Sequence, residues 1–193
     1  MNYKVNEIFY SVQAEGKYAG HPAIFVRLCG CNLKCPWCDT KYHNEGTWYS
    51  KEELESKVKK LSTDTKNVII VFTGGEPTLQ LKDEEELLKG YDRHIETNGT
   101  NHVPVWIDYV TCSPKSDIDF KKMDRRPDEI KVIYEDGRDN YLKSLPKTAQ
   151  GSRLYLQPLE LDGKMNIDKT MKFILENPIY KLSLQFHKMI GVR

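Results

Sequence analysis

Short apolar runs rich in β-branched residues recur along the chain and alternate with longer polar stretches. Most of them have the length and composition of buried strands: AIFVRL, NVIIVFTGG, HIETNG, VWIDYVTC, DEIKVIYE, RLYLQPLE and KLSLQF. Four of the stretches between them predict helices: Ser50–Leu61, Lys82–Lys89, Asp139–Leu145 and Ile167–Glu176. Ser50 followed by Glu53 forms a capping-box pattern at the start of the first. Strands that alternate with helices are typical of a parallel α/β sheet.

The chain opens with a segment that predicts a β-hairpin. EIFYSVQ is separated from AIFVRL by a polar turn that contains glycine, so the two runs are expected to pair before the alternation begins. A complete eight-unit barrel typically needs about 250 residues, and this chain has 193. We therefore predict an α/β fold with an incomplete TIM-like barrel, a partial barrel of about six parallel strands that the hairpin extends at its N-terminal end. Since no repeat or linker interrupts the pattern, residues 1–193 are expected to form a single domain.

Charge and composition exclude several classes of partner. Lys and Arg number 29 and Asp and Glu number 28, a net charge of +1 that creates no field for nucleic acid or for a membrane surface. No apolar run has the length of a signal-peptide core or a membrane span, so we expect a soluble, cytoplasmic protein. Three of the five cysteines crowd into one loop, which favours metal ligation in a reducing compartment over disulfides.

Polar or glycine-rich segments follow several of the predicted strands. In parallel α/β folds, ligands bind at the carboxyl ends of the strands. The segments at those ends are CNLKCPWCDT, TGGEP, ETNGT, SPK and QPLE. Their common position predicts one continuous site.

The first of these segments carries a cysteine motif, C-x3-C-x2-C, formed by Cys31, Cys35 and Cys38. A structural zinc site takes four ligands, and the candidates for the fourth are Cys29, His43 and Cys112. A fully ligated electron-transfer cluster also wants four cysteines. Three protein ligands on an iron–sulfur cluster would instead leave one iron open to another molecule.

This loop, placed after the first strand of the predicted barrel, resembles that of the radical S-adenosylmethionine enzymes. The resemblance implies one [4Fe-4S] cluster on the three cysteines, with its fourth iron chelated by the amino and carboxylate groups of S-adenosyl-L-methionine. One electron from the cluster then cleaves the sulfonium and gives a 5′-deoxyadenosyl radical. An electron donor such as flavodoxin or ferredoxin is implied as a partner.

The same resemblance assigns the other strand ends to the cofactor. The glycines of GGEP let the backbone approach a ligand and Glu76 brings a carboxylate nearby, although Gly-Gly and Pro also suit an ordinary strand-to-helix turn. The implied S-adenosylmethionine residues are Gly75, Glu76, Glu96, Asn98, Ser113, Pro114, Lys115, Gln157, Pro158, Leu159 and Glu160. For the later strand ends, ordinary loop structure fits the sequence equally well.

The sequences at the two ends of the chain indicate which family of this superfamily the chain resembles. YSVQAEGKYAGHPAIFVRLCGCNLKCPWCDT and LSLQFHKMIGVR closely resemble the 7-carboxy-7-deazaguanine synthases. That family converts 6-carboxy-5,6,7,8-tetrahydropterin to 7-carboxy-7-deazaguanine with loss of ammonia, in the queuosine and deazapurine pathway. The implied substrate residues are Val12, Gln13, Ala14, Glu15, Arg27, Thr73, His187 and Arg193, the last through its terminal carboxylate.

The chemistry of a carboxylated pterin supports several of these residues. Its edge presents N–H donors, which call for the backbone carbonyls of residues 12–14 and the side chains of Gln13 and Glu15 as acceptors. Its carboxylate calls for a forked cation, which Arg27 supplies. Plain structural roles also fit: Glu15 suits an exposed turn, and Arg27 suits a surface charge on an alternating strand.

Further expectations rest on the resemblance alone. Thr40, after Asp39, is implied as a ligand of Mg²⁺, which prefers hard oxygen ligands, while an Asx-type turn is the plain alternative. A homodimer is also implied. The competing functions are a glycyl-radical enzyme activase, which shares the cysteine spacing, and a non-catalytic zinc or iron–sulfur binding module.

Overall fold

The computed structural model describes residues 1–38, 44–62, 67–120 and 123–191. Its strands are β1 (Asn2–Val12), β2 (Pro22–Leu28), β3 (Thr47–Ser50), β4 (Ile69–Gly74), β5 (Asp92–Thr97), β6 (Tyr109–Cys112), β7 (Glu129–Tyr134), β8 (Arg153–Pro158), β9 (Glu160–Leu161), β10 (Lys164–Met165) and β11 (Tyr180–Leu182). Its α-helices are α1 (Lys51–Leu61), α2 (Asp139–Thr148), α3 (Ile167–Glu176) and α4 (Phe186–Ile190). Short 3₁₀ turns cover Gly16–Tyr18 and Pro77–Leu79.

One nine-stranded sheet organises the chain, in the order β11-β8-β7-β6-β5-β4-β2-β1-β3. The seven strands from β2 to β11 in this order pair in parallel, whereas β1 is antiparallel to β2 and β3 is antiparallel to β1. Within the described residues β3 and β11 are the two open edges. The prediction of an α/β partial barrel with an N-terminal hairpin is therefore confirmed, with seven parallel strands where about six were expected.

Three of the four predicted helices are present. The helix expected to follow Ser50 is α1, and it begins with the predicted capping box, in which Ser50 Oγ accepts from Glu53 N–H and the Glu53 carboxylate accepts from Ser50 N–H. The bounds of α3 are those predicted, and α2 runs three residues past Leu145 through Pro146. No helix in the described part of the chain combines the length and apolarity needed to cross a membrane.

The helix predicted over Lys82–Lys89 is wrong, since this segment forms turns. Its acidic side chains bind partners elsewhere, as shown by the Glu86–Arg93 ion pair at 2.6 Å. Leu88 adopts a left-handed φ of 51° and donates its N–H to Glu55 of α1 at 2.9 Å. Because Leu88 is buried in this conformation, tertiary packing overrides the helical propensity of the acidic run.

Two predicted strands are shorter than their apolar runs. VWIDYVTC contributes only its last four residues to β6, because Trp106 instead packs edge-on against Phe72 and donates its indole N–H to the Lys82 carbonyl at 2.8 Å. KLSLQF contributes only its first two residues to β11, and Phe186 begins α4. Apolar content alone does not separate a strand from a buried loop.

The period-two alternation of the strands gives the sheet two different faces. On β2, Ile24 and Val26 join the large apolar cluster that includes Leu54 and Val58 of α1. A second cluster packs β7 and β8 against α2 and α3. The opposite face, which carries Arg27 on β2, has both polar and apolar side chains and bounds a cavity described below. Burial of the first face thus leaves the second available for a ligand.

Replacing the capping serine of α1 with alanine is expected to destabilise the protein by about 1 kcal/mol, because the Glu53 N–H then loses its hydrogen-bond acceptor. Urea unfolding of Ser50→Ala measures this loss. Ser56→Ala, an exposed position within the same helix, is the matched control and should leave the free energy of unfolding within about 0.5 kcal/mol. Equal effects of the two substitutions would contradict the capping assignment.

Candidate active site

A cavity of about 530 Å³ lies at the carboxyl ends of the parallel strands. It gathers most of the residues that sequence analysis singled out: Cys31, Cys35, Cys38, Gly75, Glu96, Asn98, Ser113, Lys115, Gln157, Pro158, Leu159, Glu160, Val12, Gln13, Ala14, Glu15, Arg27, Thr73 and His187. The expectation of one continuous site is therefore supported by the geometry.

Two of the predicted residues do not line this cavity, and two others lie outside the described residues. Glu76 and Pro114 are absent from the lining. Thr40 and Arg193, together with the magnesium and terminal-carboxylate predictions that depend on them, lie outside the described residues. The same holds for His43, one candidate for a fourth zinc ligand.

Thirteen residues line the cavity that were not among the predicted site residues: Phe9, Phe25, Leu33, Trp37, Gly74, Thr97, Lys131, Ile133, Leu161, Asp162, Gly163, Gln185 and Lys188. Most are apolar or backbone contributions that carry no chemical signature. Among the polar exceptions is Lys131, a single lysine in the otherwise apolar part of the run EIKVIY. A charged residue on one face of a buried strand is itself a signal of function or pairing.

The cysteine loop follows β2 and is held to the rest of the site. Leu33 N–H donates to Cys31 Sγ at 3.4 Å, and Cys38 N–H donates to the Cys35 carbonyl at 3.2 Å. The indole N–H of Trp37 donates to Glu135 at 2.9 Å, just past the end of β7. Burial raises the pKa of the Cys35 thiol, and nearby Lys115 opposes this rise.

The other two cysteines lie elsewhere. Cys29 is buried, and its thiol donates to the Glu45 carbonyl at 3.2 Å. Cys112 is fully buried in the second apolar cluster, where burial raises the pKa of its thiol to about 12. Neither lines the cavity. Both are therefore poor candidates for a fourth ligand beside the three-cysteine loop.

The GGEP turn packs directly on the cysteine loop. A Cβ atom on Gly75 would lie 2.0 Å from the Gly30 carbonyl oxygen and 3.0 Å from Cys31 Cβ. Gly74 has a φ of 130°, and a Cβ there would lie 2.0 Å from the Leu28 carbonyl oxygen. Glycine is thus required at both positions, because any side chain would push the two loops apart.

The Glu76 carboxylate supports this turn from inside the protein. Glu76 is fully buried, and its Oε1 accepts from Thr78 N–H at 3.1 Å, from Thr78 Oγ1 at 2.6 Å and from Thr97 Oγ1 at 2.7 Å. Its Oε2 accepts from Asn98 N–H at 2.7 Å. These hydrogen bonds tie the turn after β4 to the end of β5, and a contact of Glu76 with the cofactor stays a prediction.

Asn98 continues this connection to the cysteine loop. Its side-chain N–H donates to Asn32 Oδ1 at 3.0 Å, and its Oδ1 accepts from Thr100 N–H at 3.0 Å and from Thr100 Oγ1 at 2.7 Å. Asn32 in turn donates to Thr100 Oγ1 at 2.8 Å. The turn after β5 and the cysteine loop are therefore held in one hydrogen-bonded unit.

The lining fits an iron–sulfur cluster and a polar cofactor by its donor set. Three thiols border the cavity beside the close backbone approach at Gly75, and the Gln157 Oε1 atom is buried without a hydrogen-bond partner in the cavity wall. Among the described residues, no three His, Cys, Asp or Glu side chains converge closely enough to hold a single metal ion. The fit therefore rests on thiolate chemistry and on the shape of the wall.

Charged side chains occupy the floor of the cavity. Lys131 of β7 forms ion pairs with Glu15, which follows β1, and with Glu96 of β5, where the Nζ–Oε2 distance is 3.7 Å. Burial would raise the pKa of Glu15, but the Lys131 ammonium outweighs it and lowers that pKa. Glu15 is not the exposed turn residue that its sequence context also allowed, since its side chain is 11% exposed.

Arg27 lies at one wall of the cavity. Its register partners are Glu7 on β1 and Thr73 on β4. Its Nε donates to Glu7 Oε1 at 2.9 Å, and its guanidinium lies 6.0 Å from the centre of the Phe9 ring. Phe9 stacks on Phe25 with ring centres 5.0 Å apart. The wall thus combines a fixed cation with a flat apolar surface.

The C-terminal segment closes the other side. Phe186 N–H donates to the Ala14 carbonyl at 3.4 Å, and Ser183 Oγ accepts from Gly16 N–H at 3.1 Å. Lys188 pairs with Glu160 at 3.0 Å, while His187 lines the cavity. The hairpin turn and this late segment therefore form one boundary of the site.

Comparisons with known proteins agree with this site. Residues 26–150 match the model of the Radical SAM superfamily. The chain is 39% identical to a 7-carboxy-7-deazaguanine synthase from Haemophilus influenzae, over 99% of this chain and 94% of that protein. It is 40% identical to one from Bacteroides thetaiotaomicron, over 98% of each. The crystal structure of QueE from Escherichia coli is similar, with a TM-score of 0.71 and 27% identity over 96% of this chain and 94% of that one.

The partial barrel and its three-cysteine loop, together with the matched superfamily model, define a radical S-adenosylmethionine enzyme. Such enzymes use an iron–sulfur cluster with S-adenosyl-L-methionine, which is the cofactor pair that the resemblance of the cysteine loop implied. Within that superfamily, the chain belongs to the 7-carboxy-7-deazaguanine synthase family.

Cys38→Ala is expected to abolish assembly of the [4Fe-4S] cluster, because two thiolates from this chain would remain at the cavity. Anaerobic reconstitution followed by iron and sulfide analysis measures this, with about four of each expected per wild-type chain. Cys112→Ala is the control, since it removes a thiol from the apolar core, and it should retain the cluster. Loss of the cluster in both variants would instead indicate a four-cysteine centre.

Proposed function

We propose that this protein converts 6-carboxy-5,6,7,8-tetrahydropterin to 7-carboxy-7-deazaguanine with loss of ammonia, in the pathway to queuosine and related deazapurines. The observation that carries the proposal is the shared cavity. One volume brings together the cysteine loop, the glycine turn, the acidic hairpin turn and Arg27. The names of the similar full-length proteins support the same activity.

The cysteine loop is proposed to hold the cluster through Cys31, Cys35 and Cys38. When bound, the cluster supplies the single electron that cleaves S-adenosylmethionine and provides a 5′-deoxyadenosyl radical. The protein positions the cysteine loop. Gly75 lets the backbone lie against this loop, and Asn98 ties the end of β5 to Asn32 within it.

The cofactor is proposed to lie along the strand ends next to the cluster. The residues proposed to contact it are Gly75, Glu96, Asn98, Ser113, Lys115, Gln157, Pro158, Leu159 and Glu160. Lys115 donates to Ser113 Oγ at 2.9 Å and lies 5.2 Å from the centre of the Trp37 ring. The buried, unpartnered Gln157 Oε1 offers a hydrogen-bond acceptor to the adenosine portion.

The substrate is proposed to lie between the hairpin and β7. Arg27 binds its carboxylate, and Glu15 accepts from its N–H edge. The Gln13 side chain is already bonded to Glu15 N–H and to Glu96, so we propose that it acts by holding these two residues. The Gln13 and Ala14 carbonyls accept from Gly20 and Phe186, which leaves a second lone pair on each for the substrate.

Several finer features of the proposal rest on family resemblance. Mg²⁺ is proposed to bind through Thr40 and substrate oxygens, and Arg193 to reach the substrate through its terminal carboxylate. A flavodoxin or ferredoxin is proposed as the electron donor. The protein is proposed to act in the cytoplasm as a homodimer of single-domain chains. His187 is proposed as a substrate contact, since it lines the cavity beside Glu15.

The glycyl-radical enzyme activases are disfavoured by the enclosure of the cavity. An activase must admit a loop of another protein, which requires an open groove. Here the turn after β1 and the segment containing Gln185 and His187 line the same cavity and hydrogen-bond to one another. This enclosure favours a small substrate.

The direct test incubates the reconstituted enzyme with a reductant, S-adenosylmethionine and 6-carboxy-5,6,7,8-tetrahydropterin, and then identifies the product by mass. We expect 7-carboxy-7-deazaguanine and one equivalent of ammonia. Cleavage of S-adenosylmethionine without this product would defeat the substrate assignment while leaving the radical chemistry in place. Stoichiometric zinc with no response to the cofactor would instead support a binding module.

Arg27→Lys is expected to raise KM for the pterin about ten- to a hundredfold, because lysine keeps the charge but loses the bidentate geometry. Steady-state kinetics measure this, and substrate-independent cleavage of S-adenosylmethionine should be unchanged. Arg126→Lys, an exposed arginine away from the cavity, is the matched control and should leave KM at the wild-type value. An unchanged KM in Arg27→Lys would remove this residue from the substrate site.

A further inference from the structure

Four residues on the cavity floor, Gln13, Glu15, Glu96 and Lys131, form a closed ring of hydrogen bonds and ion pairs. Lys131 Nζ donates to Glu15 and lies 3.7 Å from Glu96 Oε2. Gln13 Nε2 donates to Glu96 Oε1 at 3.0 Å, and Gln13 Oε1 accepts from the Glu15 N–H at 3.2 Å. The members come from the hairpin turn, β5 and β7, so the ring joins three separate parts of the chain.

The ring is nearly removed from water, which makes its charges strongly dependent on one another. The Lys131 side chain is 6% exposed and that of Glu15 is 11% exposed. An unpaired charge at such a position is costly, because desolvation is not compensated. Two carboxylates share one ammonium, so Lys131 is the cation that allows both to be present on the floor.

Stability alone does not account for a lysine at this position. Its neighbours on the strand, Ile130 and Val132, pack in the apolar cluster on the opposite face. A buried ion pair is often no more stabilising than apolar side chains of similar volume. Phe9 and Phe25 show that this face accepts apolar side chains where they border the cavity. The charged ring is therefore better explained by what it presents to a ligand.

The Lys131 ammonium supports an ionised Glu15, and the carboxylates around Lys131 keep that ammonium charged. Burial acts against the charged form of Lys131, but Glu15, Glu96 and Glu129 outweigh it and raise its pKa above the ordinary range. His187 contributes a further lowering of the pKa of Glu15. Glu129 itself has a raised pKa because of burial, so it is the weakest anion of the group.

We propose that Lys131 is a positioning residue for the reaction, which keeps Glu15 as an ionised acceptor for the substrate N–H groups and links it to Glu96 at the cofactor end. This inference rests on the proposed function. Lys131 acts through Glu15 and Glu96, and contact with either ligand is not required of it. Occupancy of the substrate site is thereby tied to the placement of a cofactor-site carboxylate.

Binding of the unreactive oxidised analogue 6-carboxypterin tests this without turnover. Isothermal titration of the anaerobically reconstituted enzyme with S-adenosylmethionine present, at pH 5.5, 6.5 and 7.5, gives Kd for wild type, Lys131→Met and Lys131→Arg. The ratio of variant to wild-type Kd at each pH removes the titration of the ligand, which all samples share. Lys169→Met is the matched control, since it removes the same charge from an exposed pair with Asp136.

Without the ammonium, burial and the charge of Glu96 raise the pKa of Glu15, so its acceptor form is lost as the pH falls. We expect the Kd ratio of Lys131→Met to rise about tenfold per pH unit below that raised pKa. Lys131→Arg and Lys169→Met should keep ratios near one. A ratio for Lys131→Met that stays near one, or that is large but independent of pH, would overturn the proposal.

A variant with balanced charge covers the case in which Lys131→Met does not fold. Lys131→Met with Glu96→Gln removes one cation and one anion together and still leaves Glu15 without its ammonium. Because burial of Glu15 remains, its Kd ratio should still rise as the pH falls, and a flat ratio near one would overturn the proposal. Wild-type enzyme that fails to bind 6-carboxypterin at any pH would count against the proposed substrate, which is a separate outcome.

Discussion

The site depends on the burial of one carboxylate, that of Glu76. It accepts hydrogen bonds from Thr78, Thr97 and Asn98, and each hydrogen bond to a charged group typically contributes about 1.5–3 kcal/mol. Those donors belong to the turn after β4 and the end of β5. The turn in turn carries Gly75 against the cysteine loop, and Asn98 binds Asn32 within that loop. A single anion in the interior therefore sets the spacing of three loops.

One face of the sheet stabilises the fold, and the other face carries the residues of the candidate site. One face buries the aliphatic clusters that stabilise the chain, and the other carries Arg27, Glu96 and Lys131 at the same period along their strands. All three side chains line the same cavity, although β2, β5 and β7 are separated by other strands of the sheet. The polar face is tolerable because its charges are paired, as between Arg27 and Glu7.

Much of this architecture was predictable from periodicity and turn chemistry. Seven apolar runs correspond to the seven parallel strands, and the Ser50 capping pattern located α1. The cysteine spacing and the segments after each strand located the cavity lining. These predictions succeeded because strand alternation and glycine geometry are local properties that the sequence expresses directly.

The sequence predictions were incomplete where contacts between residues far apart in sequence determine the structure. Lys82–Lys89 has helical composition, yet Glu86 is drawn to Arg93 and Leu88 to Glu55. Glu76 follows two glycines in a ligand-binding pattern, yet its carboxylate turns inward because Thr97 and Asn98 offer donors from another strand. Lys131 lies in an apolar run, and the residues near it in sequence do not indicate that Glu15 is its ion-pair partner. Local sequence patterns do not identify interaction partners that are distant in sequence.

The hydrogen bonds between the hairpin turn and the segment before α4 have a consequence for assembly. Gly16 binds Ser183 and Ala14 binds Phe186, so contacts more than 160 residues apart in sequence complete the wall of the cavity. During synthesis the hairpin turn precedes its partner by more than 160 residues, and closure of so long a loop carries an entropic cost. The sheet can therefore form its early strands well before a ligand can be enclosed. A complete binding site requires the segment before α4 to return to the hairpin turn.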